Sequence, residues 1–322
     1  MTDARAQLMP VLNAGGPQLA ALLEQTEARL REVAGGHGQA LATHAEGTLA
    51  AGGKRLRPIL VFLCADAKKE ELVAAAAAVE LLHMATLVHD DVLDGAILRR
   101  GRPTVFAEGG RLAATATGDL LFSRAFAELA SSGSSEAVLA LSVASSALAR
   151  GELMQRADAW SGDVSPERYL ERCRLKTASL FEASCRLGAL SGGRPALADS
   201  LGRFGERIGV AFQMFDDVLD VAGPTERTGK PRGADLLDGT VTLPLILARE
   251  LDPQLRGLKV GDRDAAAALC DRIASTGALA EARRRALTHV AEAKALLAGI
   301  GVPNTLRISL DLVAESVVER YA

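Results

Sequence analysis

Two copies of one acidic pattern, each placed in an apolar stretch, restrict the folds open to this chain. Asp-Asp-Val-Leu-Asp occurs at residues 90–94 and again at 216–220. In a helix, residues four positions apart lie on the same face, so the first and last aspartate of each copy point the same way. Like charges at this spacing destabilise a helix unless a cation lies between them. Since both copies follow strongly apolar residues, we predict internal helices whose carboxylates line a cavity.

The remainder of the chain also favours helix. Only 3% of the 322 residues are aromatic, and few segments show the period-two alternation of β-branched residues that marks strands. Connections are short and rich in Gly, Ser, Pro or Asp, and Pro58 fits the first turn of a helix. No linker marks a boundary, so we predict one all-α domain over residues 1–322. The other predicted helices cover 17–34, 39–51, 70–94, 111–131, 135–157, 166–190, 197–222, 241–250, 262–275, 278–298 and 303–320.

Bulk properties exclude several classes of protein. A net charge of −3 and a pI of about 6.0 do not suit a general binder of nucleic acids or anionic membranes. The four cysteines lack metal-site spacing, which indicates reduced, buried thiols. The start of the chain lacks the pattern of a signal peptide, and no uninterrupted apolar run reaches bilayer length. We therefore expect a cytoplasmic protein.

Carboxylate clusters that line a cavity suit Mg²⁺. This ion binds hard oxygen ligands, keeps several waters and usually meets substrate phosphates. One copy of the pattern would fit a solvated acidic turn about equally well, but two copies in apolar helices make that interpretation much less favourable. We predict that the metal ligands are Asp90, Asp91, Asp94, Asp216, Asp217 and Asp220.

Basic residues lie near the acidic clusters in the sequence. Lys54, Arg55 and Arg57 stand at a predicted helix start, where free N–H groups also attract phosphate. Arg99 and Arg100 follow the first cluster directly, and arginine offers forked donors that match phosphate oxygens. Each alone fits a solvated surface charge. Together they predict two anion sites, one formed through Mg²⁺ and one by direct basic contacts.

These segments, taken together, have a known counterpart. The chain resembles the trans-isoprenyl diphosphate synthases, also called the polyprenyl synthetase family, over most of residues 52–246. The matching segments stand in family order and form a highly specific set. They are GGKRLRP at 52–58, ELLHMATLVHDDVLDGAILRRGRPT at 80–104, GDLLFSRAF at 118–126, GEL at 151–153, LKTASLF at 175–181, GVAFQMFDDVLD at 209–220 and TGKPRGADLLDGTVTLPLI at 228–246.

The resemblance implies an all-α, single-domain bundle of the isoprenoid synthase type with a central active-site cavity. It also implies trans, head-to-tail condensation of isopentenyl diphosphate with an allylic diphosphate: ionisation, condensation, then proton loss to the released diphosphate. The six aspartates would hold about three Mg²⁺ on the allylic diphosphate. The resemblance implies that Arg99, Lys176 and Lys230 contact that diphosphate directly. It implies that isopentenyl diphosphate is held by Lys54, Arg57, His83 and Arg100. The residues implied to lie near the developing cation are Thr177 and Gln213.

One position departs from the family pattern. Many members carry a lysine where this chain has Thr240, after Asp238-Gly239, and that lysine helps to bind the allylic diphosphate. Some members lack it, so the departure does not exclude activity. It leaves the contribution of this loop, including Asp235, open.

Product length in this family is set by a tunnel beside the first aspartate helix, where a bulky residue one turn before the motif stops growth. Ala85 and Thr86 occupy that layer here and are small. One turn rises about 5.4 Å, close to one isoprene unit, so an open layer predicts a product of about C25 to C50. A small Ala85 could also serve helix packing alone, with a C20 product. Leu81 and Leu82 form the next layer, and Phe122 and Phe126 are candidate floors.

Three alternatives remain open. A terpene cyclase or a head-to-head synthase shares aspartate-rich helices but needs no GKRLRP segment. A non-catalytic subunit of a heteromeric synthase typically loses one aspartate motif, and both are complete here. A geranylgeranyl diphosphate synthase differs only in product. The resemblance further implies a homodimer whose interface includes 118–126, and a long apolar product suggests transient membrane contact at release.

Overall fold

The computed structural model describes residues 8–50, 52–66, 71–223 and 232–319. The described chain is almost entirely helical, which confirms the all-α fold class. The chain divides into two compact units. The first comprises Met1–Ser145, Leu180–Arg203 and Ile300–Val313, and the second Ser146–Ser179, Phe204–Gly299 and Ala314–Ala322. The single domain over residues 1–322 stays a prediction.

The helices and strands are numbered along the described chain. The first half contains α1 (Met9–Gly35), α2 (Gln39–Ala50), α3 (Leu56–Cys64), α4 (Glu71–Asp94), β1 (Leu98–Arg99), β2 (Arg102–Pro103), α5 (Val105–Ala130) and α6 (Ser135–Ala157). The second half contains α7 (Pro166–Cys173), a π-helical segment (Arg174–Ala178), α8 (Ser179–Ser191), a 3-10 turn (Pro195–Leu197), α9 (Ala198–Ala222), α10 (Ala234–Leu237), α11 (Leu243–Leu251), a 3-10 turn (Pro253–Leu255), α12 (Arg263–Ser275), α13 (Ala278–Gly299) and α14 (Asn304–Glu319).

Helix α4 is the core of the first unit, and its most extensive packing is with α5. Its alanine run from Ala75 to Ala78 is at most 1% exposed. Alanine is the best helix former and its small side chain lets neighbouring helices approach closely. Helices α1 and α3 also pack on α4. The apolar packing therefore fixes the helix that ends in the first aspartate cluster.

The second unit is built around α7, the π-helical segment and the helices that follow α9. Helix α11 packs against α13, α12 and α7. Tyr169, Phe204 and Val210 are fully buried here. Burying an aromatic side chain removes roughly 150–250 Å² from water, so the rings of Tyr169 and Phe204 contribute much of the apolar surface buried in this core. They also fix the face of α9 that carries the second aspartate cluster.

Several predicted helices match the structure closely. Helix α6 has the predicted bounds of 135–157, and α4, α9 and α12 differ from prediction by one residue at a terminus. The prediction for 166–190 was wrong in one respect, because a π-helical segment interrupts that stretch. Helix α5 begins at Val105 and not at 111, since Thr104 caps it by accepting a hydrogen bond from the Ala107 amide at 3.0 Å.

Two described helices are long and apolar enough to cross a membrane by length and mean hydropathy. The first is the stretch Leu72–Asp94, whose most apolar window is 67% buried within the protein. The second is Ser135–Ala157, whose window is only 28% buried. Neither is an uninterrupted apolar run. The core position of the first accounts for its composition, while the second leaves an apolar surface uncovered.

Candidate active site

The first aspartate cluster lies at the C-terminal end of α4. Asp91 is 4% exposed, and the Nε and Nη2 atoms of Arg99 each lie 2.8 Å from its Oδ1 atom. Asp90 is half-buried and Asp94 is exposed. The central aspartate is therefore engaged with a cation from the following hairpin, and the outer pair lies on the more open side of the helix.

A tight hairpin carries that cation back to the helix. Strands β1 and β2 pair antiparallel, with Arg99 opposite Arg102. The connecting residues Arg100 and Gly101 have φ values of 52° and 74°, the left-handed conformation that two-residue hairpin turns require. The guanidinium of Arg100 lies against Gly53, where an added Cβ would be 3.2 Å from its Nη1 atom. The turn thus places the Arg100 side chain next to the basic segment at 54–57.

Positive charge converges on His83. Burial is the largest cause that lowers the pKa of His83 well below its ordinary value, and the charges of Arg57, Arg100, Arg55 and Arg99 lower it further. A neutral imidazole near several guanidinium groups marks a cationic region, although Arg55 and Arg99 are themselves paired with carboxylates. Such a region favours a polyanionic ligand.

Arg57 and Arg55 play different parts in this region. Arg55 forms ion pairs with Glu27 and with Glu80, the latter at 2.6 Å. The buried Nε atom of Arg57 has no hydrogen-bond partner, and its guanidinium lies 4.8 Å from the centre of the Phe181 ring. Burial lowers the pKa of Arg57 to about 10, so this cation remains charged at neutral pH. An anion would supply the missing acceptor.

A pocket in the first unit brings some of these groups together with further polar residues, but Arg57 and Lys54 are not among the residues that line it. It joins the predicted His83, Arg99 and Arg100. Lys54, predicted to belong here, is half-buried in the loop before α3. The other polar side chains that line the pocket are those of His44, Thr48, Arg55, Glu80, Asp91, Thr104 and Glu108.

The second aspartate cluster lies on α9. Asp217 is 2% exposed, while Asp216 and Asp220 are half-buried. The Tyr169 hydroxyl donates to Oδ2 of Asp217 at 2.6 Å, and the Gln213 amide donates to Oδ1 at 2.7 Å. Burial, and then the charge of Asp235, raise the pKa of Asp217 to about 7. The central aspartate of this cluster is thus held by neutral donors.

The predicted Lys176 and Thr177 lie in the π-helical segment. Segments of this kind are rare and occur frequently at functional sites. Thr177 donates a hydrogen bond to Oε1 of Gln213 at 2.6 Å, and Lys176 forms an ion pair with Glu152. Burial opposes ionisation of Glu152, but the charges of Lys176 and Arg156 hold its pKa below the ordinary value. The pair fixes the position of the lysine.

The loop after α9 is tied to the second cluster through backbone groups. The Asp235 amide donates to Oδ2 of Asp220 at 3.2 Å, and the Thr240 amide donates to the Asp235 carbonyl at 2.8 Å. The Trp160 amide donates to the Gly239 carbonyl at 2.8 Å. Thr240 is half-buried in this loop. The predicted Lys230 lies outside the described residues.

The donor sets fit Mg²⁺ only in part, because within the described ranges no three His, Cys, Asp or Glu side chains come together as a metal site. Each cluster offers an outer pair of aspartates four residues apart that is more exposed than its buried central member. Mg²⁺ is usually held by one or two carboxylates together with waters and substrate phosphates. Two-carboxylate sets suit that mode of binding.

The predicted chain-length residues lie on α4 and α5. Leu81, Leu82 and Ala85 are 0% exposed. The hydroxyl of Thr86 donates to the His83 carbonyl at 2.7 Å, so it is satisfied within the helix. Phe122 is 37% exposed, and its ring centre lies 5.3 Å from that of Phe126. A floor at Phe122 would therefore need a further surface to cover it.

The residues missed from the sequence support the predicted ones. Glu80, Glu152 and Tyr169 each contact a predicted site residue or its neighbour. Tyr169 lies seven residues before Lys176, which is two helical turns, so helical spacing could have placed it on the same face. Glu80 belongs to the matched segment at 80–104 but stands among apolar residues. Buried acids of this kind usually pair with a cation.

Comparisons with known proteins point to one family. A family model described as polyprenyl synthetase matches residues 38–267. The chain is 44% identical over 234 residues to the heptaprenyl diphosphate synthase component 2 of Geobacillus stearothermophilus, covering 71% of this chain and 72% of that protein. The crystal structure of heptaprenyl diphosphate synthase from Staphylococcus aureus superposes with a TM-score of 0.88 at 28% identity, covering 94% of this chain and 99% of that one.

A second solved structure contains ligands. The polyprenyl synthase from Caulobacter crescentus CB15, complexed with calcium and isoprenyl diphosphate, superposes with a TM-score of 0.86 at 33% identity. The match covers 97% of each chain. A divalent cation and an isoprenyl diphosphate therefore bind to a protein of the same fold.

Proposed function

Because this chain belongs to the polyprenyl synthetase family and is a prenyltransferase, we propose the residues by which it condenses isopentenyl diphosphate with an allylic diphosphate. The observation that carries the assignment is the pocket of the first unit in which Arg55, Arg99 and Arg100 lie around His83. The same pocket contains Asp91 of the first aspartate cluster. A cationic region beside a carboxylate cluster suits two diphosphates, one bound directly and one bound through metal.

The directly bound diphosphate is that of isopentenyl diphosphate. Lys54, Arg57, His83 and Arg100 hold it. Support comes from the buried Arg57 Nε atom without a partner and from the left-handed turn that delivers Arg100 to Gly53. Arg55, which is paired with Glu27 and Glu80, serves to order this segment. Forked guanidinium donors match diphosphate oxygens in geometry as well as charge.

The allylic diphosphate binds through metal. Asp90 and Asp94 of the first cluster, with Asp216 and Asp220 of the second, are the proposed ligands, and Asp91 and Asp217 orient the helices that carry them. About three Mg²⁺ ions would neutralise the leaving diphosphate as its charge develops. Arg99, Lys176 and Lys230 are the proposed direct contacts with its oxygens.

The reaction needs little acid–base chemistry from the protein. Binding fixes the alkene of isopentenyl diphosphate against the allylic carbon, and water must be kept away from the cation that it would otherwise trap. The hydroxyl oxygen of Thr177 and the amide oxygen of Gln213 offer acceptor dipoles to the positive charge. The proton lost after condensation passes to the released diphosphate. No residue described in either unit is proposed as a dedicated base.

We propose a product of about C25 to C50. Ala85 is buried and leaves the layer one turn before the first cluster small; one helical turn spans about one isoprene unit. The name of the heptaprenyl relative supports this range, and a C20 product is the alternative. The test is to incubate the pure protein with Mg²⁺, isopentenyl diphosphate and, separately, C5, C10, C15 and C20 allylic diphosphates, then size the products. A ladder that reaches C25 supports the proposal, and a stop at C20 or earlier overturns the length assignment.

A two-component enzyme is the second candidate. The relative from Geobacillus stearothermophilus is named as component 2 of its synthase, which raises the case for a partner chain. If the pure protein consumes no isopentenyl diphosphate with any primer, this candidate replaces the first. Both complete aspartate clusters favour a catalytic chain in either case.

We further propose a homodimer, with transient membrane contact when a long product leaves. Exposed apolar side chains support an interface: on α6, Leu139 and Val143 are 64% and 63% exposed, and Phe122 of segment 118–126 is 37% exposed. Analytical ultracentrifugation tests the dimer. A cytoplasmic location remains our proposal.

A further inference from the structure

Four buried or half-buried side chains of the second unit form one continuous line of hydrogen bonds. Tyr169 donates to Asp217 at 2.6 Å, Gln213 donates to the other oxygen of Asp217 at 2.7 Å, and Thr177 donates to the Gln213 oxygen at 2.6 Å. Tyr169 is 0% exposed and Asp217 is 2% exposed. The line begins at Tyr169, which has not yet been given a role in the reaction, and ends at Thr177, which is proposed to face the cation.

The ends of this line fix the direction of every hydrogen bond in it. A phenol has one proton to donate, and the Tyr169 hydroxyl donates it to Oδ2 of Asp217 at 2.6 Å. Each oxygen of Asp217 faces one donor, Oδ2 the Tyr169 hydroxyl and Oδ1 the Gln213 amide nitrogen, so both oxygens accept. The Gln213 amide must therefore turn its NH₂ group to Asp217 and its oxygen to Thr177. The Thr177 proton is then committed to Gln213, and only acceptor lone pairs remain on the hydroxyl.

We propose that Tyr169 is a positioning residue for the allylic cation, because it anchors Asp217 and thereby sets the polarity of the Gln213 amide and the Thr177 hydroxyl. This inference rests on the proposed function, which places the last two residues beside the developing charge. With the line intact, the cation meets two preoriented acceptors. Without the phenol proton, Asp217 is free to turn, and the amide and hydroxyl can present donors that repel positive charge. Preoriented dipoles stabilise a transition state because they need no reorganisation.

The test begins with Tyr169→Phe, which keeps the ring and removes only the hydroxyl. The readout is the single-turnover rate of the first condensation, which excludes product release. We expect this rate to fall about 10- to 100-fold, the size of one lost hydrogen bond to a charged group, with the KM values of both substrates within about threefold of wild type. The control is Thr26→Val, which also loses a buried hydroxyl, one that bonds to the Leu22 carbonyl at 2.8 Å; it should leave the rate unchanged.

A double variant separates positioning from packing. If Tyr169 acts through this series of hydrogen bonds, both substitutions break the same series. Adding Tyr169→Phe to Thr177→Val should then lower the single-turnover rate little beyond the larger of the two single losses. Losses that multiply, or a Tyr169→Phe rate within about threefold of wild type, overturn the inference. Should Tyr169→Phe fail to fold, Asp217→Asn takes its place with the same expectation. A wild-type protein without turnover contradicts the proposed function instead, so the two failures are distinguishable.

Discussion

The two aspartate clusters have the same sequence pattern, but the protein holds their central members in different ways. Asp91 pairs with the Arg99 cation at 2.8 Å. Asp217 accepts from two neutral donors, and burial with the Asp235 charge raises its pKa to about 7. A charge-assisted pair locks the first cluster to a hairpin, whereas the second belongs to a hydrogen-bonded line. An identical motif therefore predicts shared metal chemistry but not a shared response to mutation or pH.

The largest expected effect is a loss of turnover that is the same for both clusters. Asp90→Ala and Asp216→Ala each remove one of the proposed outer carboxylates, so the metal loses a ligand in either unit. Since metal stabilises the departing diphosphate by several kcal/mol, we expect turnover to fall by about 1,000-fold or more for both. Initial-rate assays at saturating Mg²⁺ check this. A loss confined to one cluster would show that the other is not a metal site.

The next effect compares two glycines, Gly118 against His89 next to the first cluster and Gly151 against Lys176 in the π-helical segment. A Cβ on Gly151 would lie 2.5 Å from the Lys176 backbone nitrogen, and one on Gly118 would lie 2.2 Å from Nε2 of His89. A half-buried imidazole can rotate away, but a backbone in a π-helical segment cannot. Since misplacement by about 1 Å can cost about 100-fold, we expect that loss in Gly151→Ala and less than about tenfold in Gly118→Ala.

The matched control for both glycines is Gly162→Ala, where an added Cβ would have nothing within 4 Å. It should retain wild-type turnover and melting temperature. Equal losses in Gly118→Ala and Gly151→Ala would contradict the distinction between a movable side chain and a fixed backbone.

A smaller effect concerns stability. Arg99→Leu leaves the buried Asp91 without its cation, which we expect to lower the free energy of unfolding by about 3 kcal/mol, near the lower end for broken buried pairs because Arg99 retains 27% of its side-chain exposure. Tyr169→Phe leaves Asp217 bonded to Gln213, so we expect about 1–2 kcal/mol. Chemical denaturation of both variants gives the comparison. The reverse order would show that the hairpin pair adds little.

The last effect is a pH dependence specific to the second cluster. In the metal-free protein the folded-state pKa of Asp217 is raised to about 7, above its unfolded value of about 3.9. Its contribution to stability is therefore fully present below about pH 4 and is lost as the pH rises through 7, at no more than about 1.4 kcal/mol per pH unit. Asp217→Asn should remove this slope.

Melting curves in chelator from pH 4.5 to 8 provide the check. Asp235, Tyr169 and Arg172 also act on Asp217, so the wild-type curve must be compared with the variant and not read alone. A slope that survives in Asp217→Asn belongs to another group.

Helical patterning and the specific motifs made most of the fold and of the candidate site predictable. Helix α6 was predicted to the residue because its apolar period and its Ser-rich start are local signals. The hairpin at 98–103 escaped prediction because two-residue strands have no periodicity, and because Arg100 adopts a left-handed φ usually left to glycine. Positions like this, where a local rule is broken, are expected at functional sites.

Other features depend on contacts between distant residues. Tyr169 and Asp217 are separated by 48 positions and meet only after the second unit folds. Arg55 and Glu27 are 28 positions apart and meet only after the first unit folds. A single sequence records residue types and spacing but not these pairings. Motif matching could therefore identify the aspartates and arginines, and the structure was needed to find what orients them.

The central claim is that the cations around His83 form a diphosphate site that needs no metal. The most direct test is calorimetric titration of isopentenyl diphosphate, in excess chelator, into wild-type protein and Arg57→Gln. The account predicts measurable binding to wild type without Mg²⁺ and at least about tenfold weaker binding to the variant, since a buried, charge-assisted contact is lost. Binding that appears only with Mg²⁺, or equal affinity in the two proteins, would contradict it.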